Sequence, residues 1–208
     1  MNKKEKKTVK KRYTDFRYNE DDERSILEDI LSFISTFIIC TLVIVIVSFF
    51  VIKPANISGR SMAPNLKNGQ RGFSSIVSLM LEGIQRYDVV LAKTTDDNGQ
   101  EATIIKRVIA LPGETISCKN EIVYVNGKPL DERRYLNSSY HDEWLKKNKY
   151  FNYDFKEVTL KDNEYFLMGD NRPISLDSRD LGPFKENQII AKDFFVVYPF
   201  DQAGYIHQ

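Results

Sequence analysis

The chain has 208 residues, 42% of them hydrophobic and 28% charged, a size that suits one ordinary domain with an added tail or anchor. Lysines and arginines number 30 against 29 acids, so no global field exists to draw in nucleic acid or an acidic substrate, and no nucleic-acid partner is expected. The two cysteines, Cys40 and Cys118, share no redox or ligand spacing, and no His/Cys/Asp cluster has metal-ligand spacing, so neither a disulfide framework, a metal nor another cofactor is expected.

Residues 1–24 form a polar tail with a basic start (Lys3, Lys4, Lys6, Lys7, Lys10, Lys11, Arg12) and an acidic end (Glu20, Asp21, Asp22, Glu23), too poor in apolar surface to order itself. Residues 25–53 read as a membrane anchor. From Phe33 to Ile52 the run FISTFIICTLVIVIVSFFVI carries no charge, and about 20 residues at 1.5 Å each span the roughly 30 Å hydrocarbon layer. A cleaved signal peptide has a shorter apolar region followed by small residues, whereas Val51-Ile52-Lys53-Pro54 follows here. Nine basic residues precede the span, so the positive-inside rule predicts a single-pass protein of the cell membrane. Its amino terminus is expected in the cytoplasm and residues 54–208 outside, with the lipid bilayer as a partner.

After Pro54 the sequence turns to short runs rich in Val, Ile, Tyr and Phe, punctuated by Gly and Asn. Strands are predicted at Tyr87–Ala92, Ala102–Ala110, Ile122–Val125, Tyr165–Met168 and Phe194–Tyr198. Asn126-Gly127 supplies the positive φ angles that a tight primed hairpin requires. Without strand–helix alternation the fold class is mainly β, an antiparallel β-sheet body behind one transmembrane helix. A small inserted cap is expected over about 114–165, with the tyrosine-rich stretch 131–157 at its heart. The apolar run Ile76–Ile84 reads as core in preference to a lipid contact.

Three segments are locally odd for such a protein. Ser58-Gly59-Arg60-Ser61-Met62-Ala63-Pro64-Asn65-Leu66 holds a serine in irregular backbone among turn-forming residues. In the predicted strand around Thr103–Ala110, alternation puts Lys106 on one face with Ile104, Val108 and Ala110, while Arg107 points the other way. A free lysine has a pKa near 10.4, and apolar burial shifts it down by about 3–5 units, the change a lysine general base needs. Gly169-Asp170-Asn171-Arg172-Pro173-Ile174-Ser175-Leu176-Asp177-Ser178-Arg179 is a dense turn of hydroxyls, acids and arginines.

Together the three segments resemble the type I signal peptidases of the Gram-positive kind, Ser/Lys membrane proteases that cleave secretory signal peptides. SGRSMAPNL looks like the family's nucleophile box, usually SGxSMxPTL; KRVIALPGE looks like its lysine box; GDNRPISLDSRDLGP is similar to its carboxy-terminal box. The resemblance implies Ser61 as nucleophile, Lys106 as the base that takes its proton, and Ser175 as the hydroxyl that orients the lysine. It further implies the Ser61 backbone N–H as oxyanion donor, Asp177 and Arg179 as structural residues, and Arg107 as the ion-pair partner of Asp177. Gly59 stands where some relatives carry a further oxyanion serine, and Asn65 replaces the usual threonine.

Eight residues separate Lys53 from Ser61, so at about 3.5 Å each the nucleophile lies within roughly 28 Å of the bilayer. That suits a preprotein whose scissile bond lies just beyond an apolar helix in the same membrane. Strand addition at a sheet edge is the expected binding mode, with Ile57 and Met62 beside the nucleophile as candidates to line shallow apolar pockets. A Ser-His-Asp arrangement would have to use His141 or His207, and neither lies in strand-like or turn-dense sequence. A membrane-anchored assembly factor, for instance in pilin assembly, would keep the same fold without catalysis. A repressor-type self-cleaving protein would share the Ser/Lys pair but normally carries a DNA-binding helix-turn-helix where this chain has its apolar helix.

Overall fold

A computed structural model describes residues 20–96 and 98–206. Helix α1 runs Glu20–Val51, so it starts thirteen residues before the predicted Phe33, and Ile52 already belongs to the first strand. The upstream extension is rich in helix formers such as Leu27, Glu28 and Leu31, which lack the β-branching that would weaken it. Within α1 the stretch Ile26–Ser48 has a mean hydropathy of 2.9 and none of it is buried. Among the described residues it is the one helix long and apolar enough to cross a membrane.

The residues from Phe49 onward form a separate compact unit. Its main sheet has eight strands: β1 (Ile52–Asn56), β2 (Arg71–Ser75), β3 (Val89–Thr95), β4 (Glu101–Ala110), β9 (Glu164–Met168), β10 (Phe184–Lys185), β11 (Ile189–Tyr198) and β12 (Gly204–Tyr205). They lie in the order β1-β2-β11-β3-β4-β9-β10, with β12 on β11, and each pairing is antiparallel. The predicted β-rich body is therefore present. The first predicted strand begins two residues later than expected, because Tyr87 takes a positive φ of 77° and Asp88 closes a turn by accepting from the Gln85 N–H.

The segment read as a small cap builds a sheet of its own. β5 (Thr115–Lys119), β6 (Ile122–Val125), β7 (Lys128–Pro129) and β8 (Phe155–Thr159) lie in the order β7-β6-β5-β8. Asn126 and Gly127, with φ of 51° and 71°, form the two-residue turn that joins β6 to β7. In chain order α2 is Ile76–Glu82 and α3 is Ser138–Leu145, the latter closed at its amino terminus by the Asn137 side chain accepting from the Tyr140 N–H. The two sheets share a core: Ile116, Val123 and Val125 of the second pack with Ile109, Phe166 and Met168 of the first.

The main sheet carries two further clusters. Val90, Ala92, Val108 and Leu167 form one, with Ile104 packed against it. Ile57, Met62, Leu66, Val89, Leu91, Phe194 and Val196 form the other. Burying a side chain such as Val or Leu contributes about 1.5–3 kcal/mol, and these rows offset the cost of the charged groups buried beside them. Helix α2 meets the core reading only in part: Ile76 and Leu79 pack inward, while Met80 and Leu81 are 77% and 80% exposed.

Candidate active site

Lys106 occupies the face that strand alternation assigned to it. β4 pairs with β3 so that Lys106 lies opposite Val90, and Ile104 and Val108 flank it in the same apolar cluster. Ala110 leaves that row, because the irregularity between Val108 and Ala110 in the β4–β9 pairing turns it into the shared core. Ser61 arrives from the loop between β1 and β2. The hydrogen bonds Ile57 N–H to Gln70 O and Gly69 N–H to Ile57 O prolong that ladder before the chain turns, and the Leu66 N–H closes the turn on Met62 O at 2.8 Å. Met62 and Leu66 are 2% and 0% exposed and pin the loop to the core. In this arrangement Lys106 Nζ lies 2.8 Å from Ser61 Oγ, a hydrogen bond between residues 45 positions apart.

Lys106 is only 4% exposed. Burial lowers its pKa from 10.5 to about 8, against the pull of Asp177 and Asp170, whose negative charges favour the ammonium. As an ammonium Nζ donates to Ser61 Oγ; once neutral, its lone pair accepts the hydroxyl proton across the same 2.8 Å. The Ser61 N–H makes no hydrogen bond within the described residues, and its carbonyl is held by the Asn171 N–H at 2.9 Å.

The family model described as "Signal peptidase, peptidase S26" matches residues 30–198. The chain belongs to this family. Signal peptidase IB of Staphylococcus aureus (strain MRSA252) is 33% identical over 187 residues, covering 86% of this chain and 94% of that protein. Signal peptidase I S of Bacillus subtilis (strain 168) is 35% identical over 176 residues, covering 84% of this chain and 92% of its own. Among solved structures, a signal peptidase I from Enterococcus faecalis V583 is 34% identical with a TM-score of 0.44, covering 52% of this chain and 95% of that one.

In this S26 peptidase Arg107 does not pair with Asp177, as the resemblance implied. Its Nε and Nη2 grip Asp170 Oδ1 and Oδ2 at 2.9 and 2.8 Å, its Nη1 donates to the Tyr87 carbonyl, and both members of the pair are at most 1% exposed. The β4–β9 register explains the difference. Arg107 lies opposite Met168, so the chain leaving β9 carries Asp170 close to it. Asp177 instead caps the one-turn helix α4 (Ser178–Leu181), where Arg179 folds back on it at 2.8 Å through both Nε and Nη2. Burial alone would raise the Asp177 carboxyl, but the Arg179 hydrogen bonds and charge outweigh it and hold it below its ordinary range. Both residues brace the segment: Asp177 Oδ2 accepts the Gly169 N–H, and Arg179 Nη2 donates to the Arg172 carbonyl.

The implied bond from Ser175 to Lys106 is also absent. Ser175 Oγ is buried without a hydrogen-bond partner; it lies against Gly169 and close enough to Asp177 to favour that carboxylate. Met62 and Ile57, candidates for an open pocket wall, sit in the core at 2% and 8% exposure and leave little surface to a substrate. A cavity of about 490 Å³ lined by Ile52, Phe73, Glu82, Phe194 and Tyr205, among others, involves neither Ser61 nor Lys106. His141 faces Asp142 and Phe151, not Ser61, and His207 lies outside the described residues.

Sequence reasoning missed several supports of the peptidase site. Asn171 donates from its backbone to Ser61 O and from Nδ2 to Arg60 O, so the carboxy-terminal segment straps down the nucleophile. Gly169 must lack a side chain, since a Cβ there would collide with Ser175 Oγ and the Ser61 carbonyl oxygen. Arg172 is buried and donates to the Gly169 carbonyl and to Glu132. The only signal for these was the density of polar residues in one turn, which names no partners.

Proposed function

We propose that this chain is a membrane-anchored serine endopeptidase that removes amino-terminal signal peptides from exported preproteins, with Ser61 as nucleophile and Lys106 as general base. The observation that carries this reading is the 2.8 Å contact between Ser61 Oγ and an amine buried to 4% exposure in an apolar row. The names of the relatives, signal peptidases of S. aureus and B. subtilis, supply the substrate class. Neutral Lys106 takes the Ser61 proton as Oγ attacks the scissile carbonyl, and the oxyanion forms beside the Ser61 N–H. The new ammonium returns its proton to the leaving amine, which breaks the peptide bond and leaves an acyl ester on Ser61. Lys106, neutral again, takes a proton from water; the hydroxide adds to the ester, Ser61 regains its proton, and the cleaved segment leaves as a carboxylic acid.

An extended substrate finds backbone partners on β4. β9 pairs with β4 only from Arg107 onward, so Glu101 to Lys106 are paired with β3 alone and their other edge accepts a further strand leading to Ser61. The nine basic residues ahead of the charge-free run that starts at Phe33 support an amino terminus in the cytoplasm and a catalytic unit outside. The full chain in detergent, incubated with a secretory precursor, is expected to release mature protein, and Ser61→Ala to release none. A non-catalytic assembly factor would be unaffected by that substitution, and precursor cleavage by Ser61→Ala at the unmodified rate would overturn the assignment.

A further inference from the structure

Tyr135 touches all three segments that build the active site. Its carbonyl accepts from Asn65 Nδ2 of the nucleophile loop at 2.7 Å, and its ring lies 4.5 Å from the guanidinium carbon of Arg107, the neighbour of Lys106 in β4. Its hydroxyl accepts from Arg172 Nη2 of the carboxy-terminal segment at 2.9 Å and donates to Glu132 at 2.7 Å. The residue is 4% exposed and stands in a turn between β7 and α3, closed by the Leu136 N–H on the Glu132 carbonyl. It belongs to the tyrosine-rich insert, which neither the dyad nor the substrate edge uses.

Asn65 completes the connection. The same Nδ2 that reaches Tyr135 also donates to Asp170 Oδ2 at 2.7 Å, the oxygen that Arg107 Nη2 holds. The carboxamide therefore ties the loop bearing Ser61 to the ion pair bearing on the strand of Lys106. On its other side Arg172 carries the link to the carbonyl of Gly169, a residue whose α-carbon faces Ser61 O. Proton transfer across a serine–amine pair tolerates little misplacement, because a shift of about 1 Å can cost a factor of a hundred in rate. A group that grips both loop and strand sets their separation.

We propose that Tyr135 and Asn65 are positioning residues for the Ser61–Lys106 pair, so that the first turn of the insert is part of the catalytic machinery. This rests on the dyad assignment above. Neither residue needs to touch substrate, so the expected signature is a loss in kcat at constant KM. A residue serving stability alone would lower the melting temperature and leave the kcat of the folded fraction unchanged.

The test uses the full chain in detergent with a signal-peptide precursor, reading kcat, KM and melting temperature for Asn65→Ala, Tyr135→Phe and Tyr135→Leu, with Ser61→Ala alongside. Asn65→Ala is expected to lower kcat about tenfold with KM held within about twofold, the loss of one anchoring hydrogen bond. Tyr135→Leu is expected to lose more, and Tyr135→Phe, which keeps the carbonyl and the ring over Arg107, to recover most of that loss. Should Tyr135→Leu fail to fold, Asn65→Ala decides, since its half-buried side chain opens no core cavity. A wild-type kcat in folded Asn65→Ala, beside an inactive Ser61→Ala, overturns this proposal alone. An active Ser61→Ala overturns the dyad and the proposal with it.

Discussion

Lys106→Met is expected to lower kcat/KM for precursor cleavage by about a thousandfold or more, while leaving the chain folded. Methionine matches the length and apolar stem of lysine but has no lone pair of comparable basicity, so Ser61 loses the group 2.8 Å from its hydroxyl. The same substitution is expected to raise the melting temperature near neutral pH. Lys106 titrates at about 8 in the folded chain against 10.5 in a solvated one. Below pH 8 the folded state holds a desolvated ammonium that the unfolded state solvates freely, a penalty that disappears as pH rises past 10.5. The depression, already net of the attraction of Asp177 and Asp170, corresponds to roughly 3 kcal/mol, and the lost hydrogen bond to Ser61 reduces the gain. A gain in stability with a loss of activity separates a catalytic lysine from a structural one, whose removal would cost both.

Asp170→Ala is expected to cost the catalytic unit about 3–5 kcal/mol, the usual effect of stripping one partner from a buried ion pair. That is a large share of the roughly 5–15 kcal/mol that typically holds a domain together. Arg107 is wholly buried, and removing the Asp170 carboxylate takes away two charge-assisted hydrogen bonds, from Nε and Nη2, at 2.9 and 2.8 Å. Thermal unfolding of the full chain in detergent, followed by near-ultraviolet dichroism, gives the measurement. Asp170→Asn keeps an acceptor and is expected to fall between the two. The double change Arg107→Met with Asp170→Leu is expected to regain most of the stability, because apolar side chains of similar size then replace the buried ion pair. An Asp170→Ala protein as stable as the original would show that this pair does not hold β4 to the carboxy-terminal segment. Asp177→Ala, by contrast, leaves Arg107 paired, which distinguishes the observed partner from the one the resemblance implied.

Much of this architecture was legible in the chain. The charge-free run marked an apolar helix, although its start lay upstream, where Glu28 and Asp29 interrupt the hydropathy but not the helix. Two-residue alternation put Lys106 with Ile104 and Val108, and Asn126-Gly127 marked its hairpin, because strand faces and positive-φ turns are local properties. Contacts across long stretches were not local. The 45-residue reach from Ser61 to Lys106 came from the resemblance of three segments, not from spacing. Asp170 and Asp177 sit in one polar turn, and only the β4–β9 register decides which of them meets Arg107. Tyr135 and Glu132 look like surface residues of a polar insert until folding brings them under Arg107 and Arg172.

Catalysis by this dyad requires a buried amine that is neutral when it takes the serine proton. The pH dependence of kcat/KM for precursor cleavage by the full chain reads that group in the free enzyme. The predicted profile rises about tenfold per pH unit on the acidic side and levels off near pH 8, where Lys106 loses its proton. A rate that stays level down to about pH 5 would contradict it.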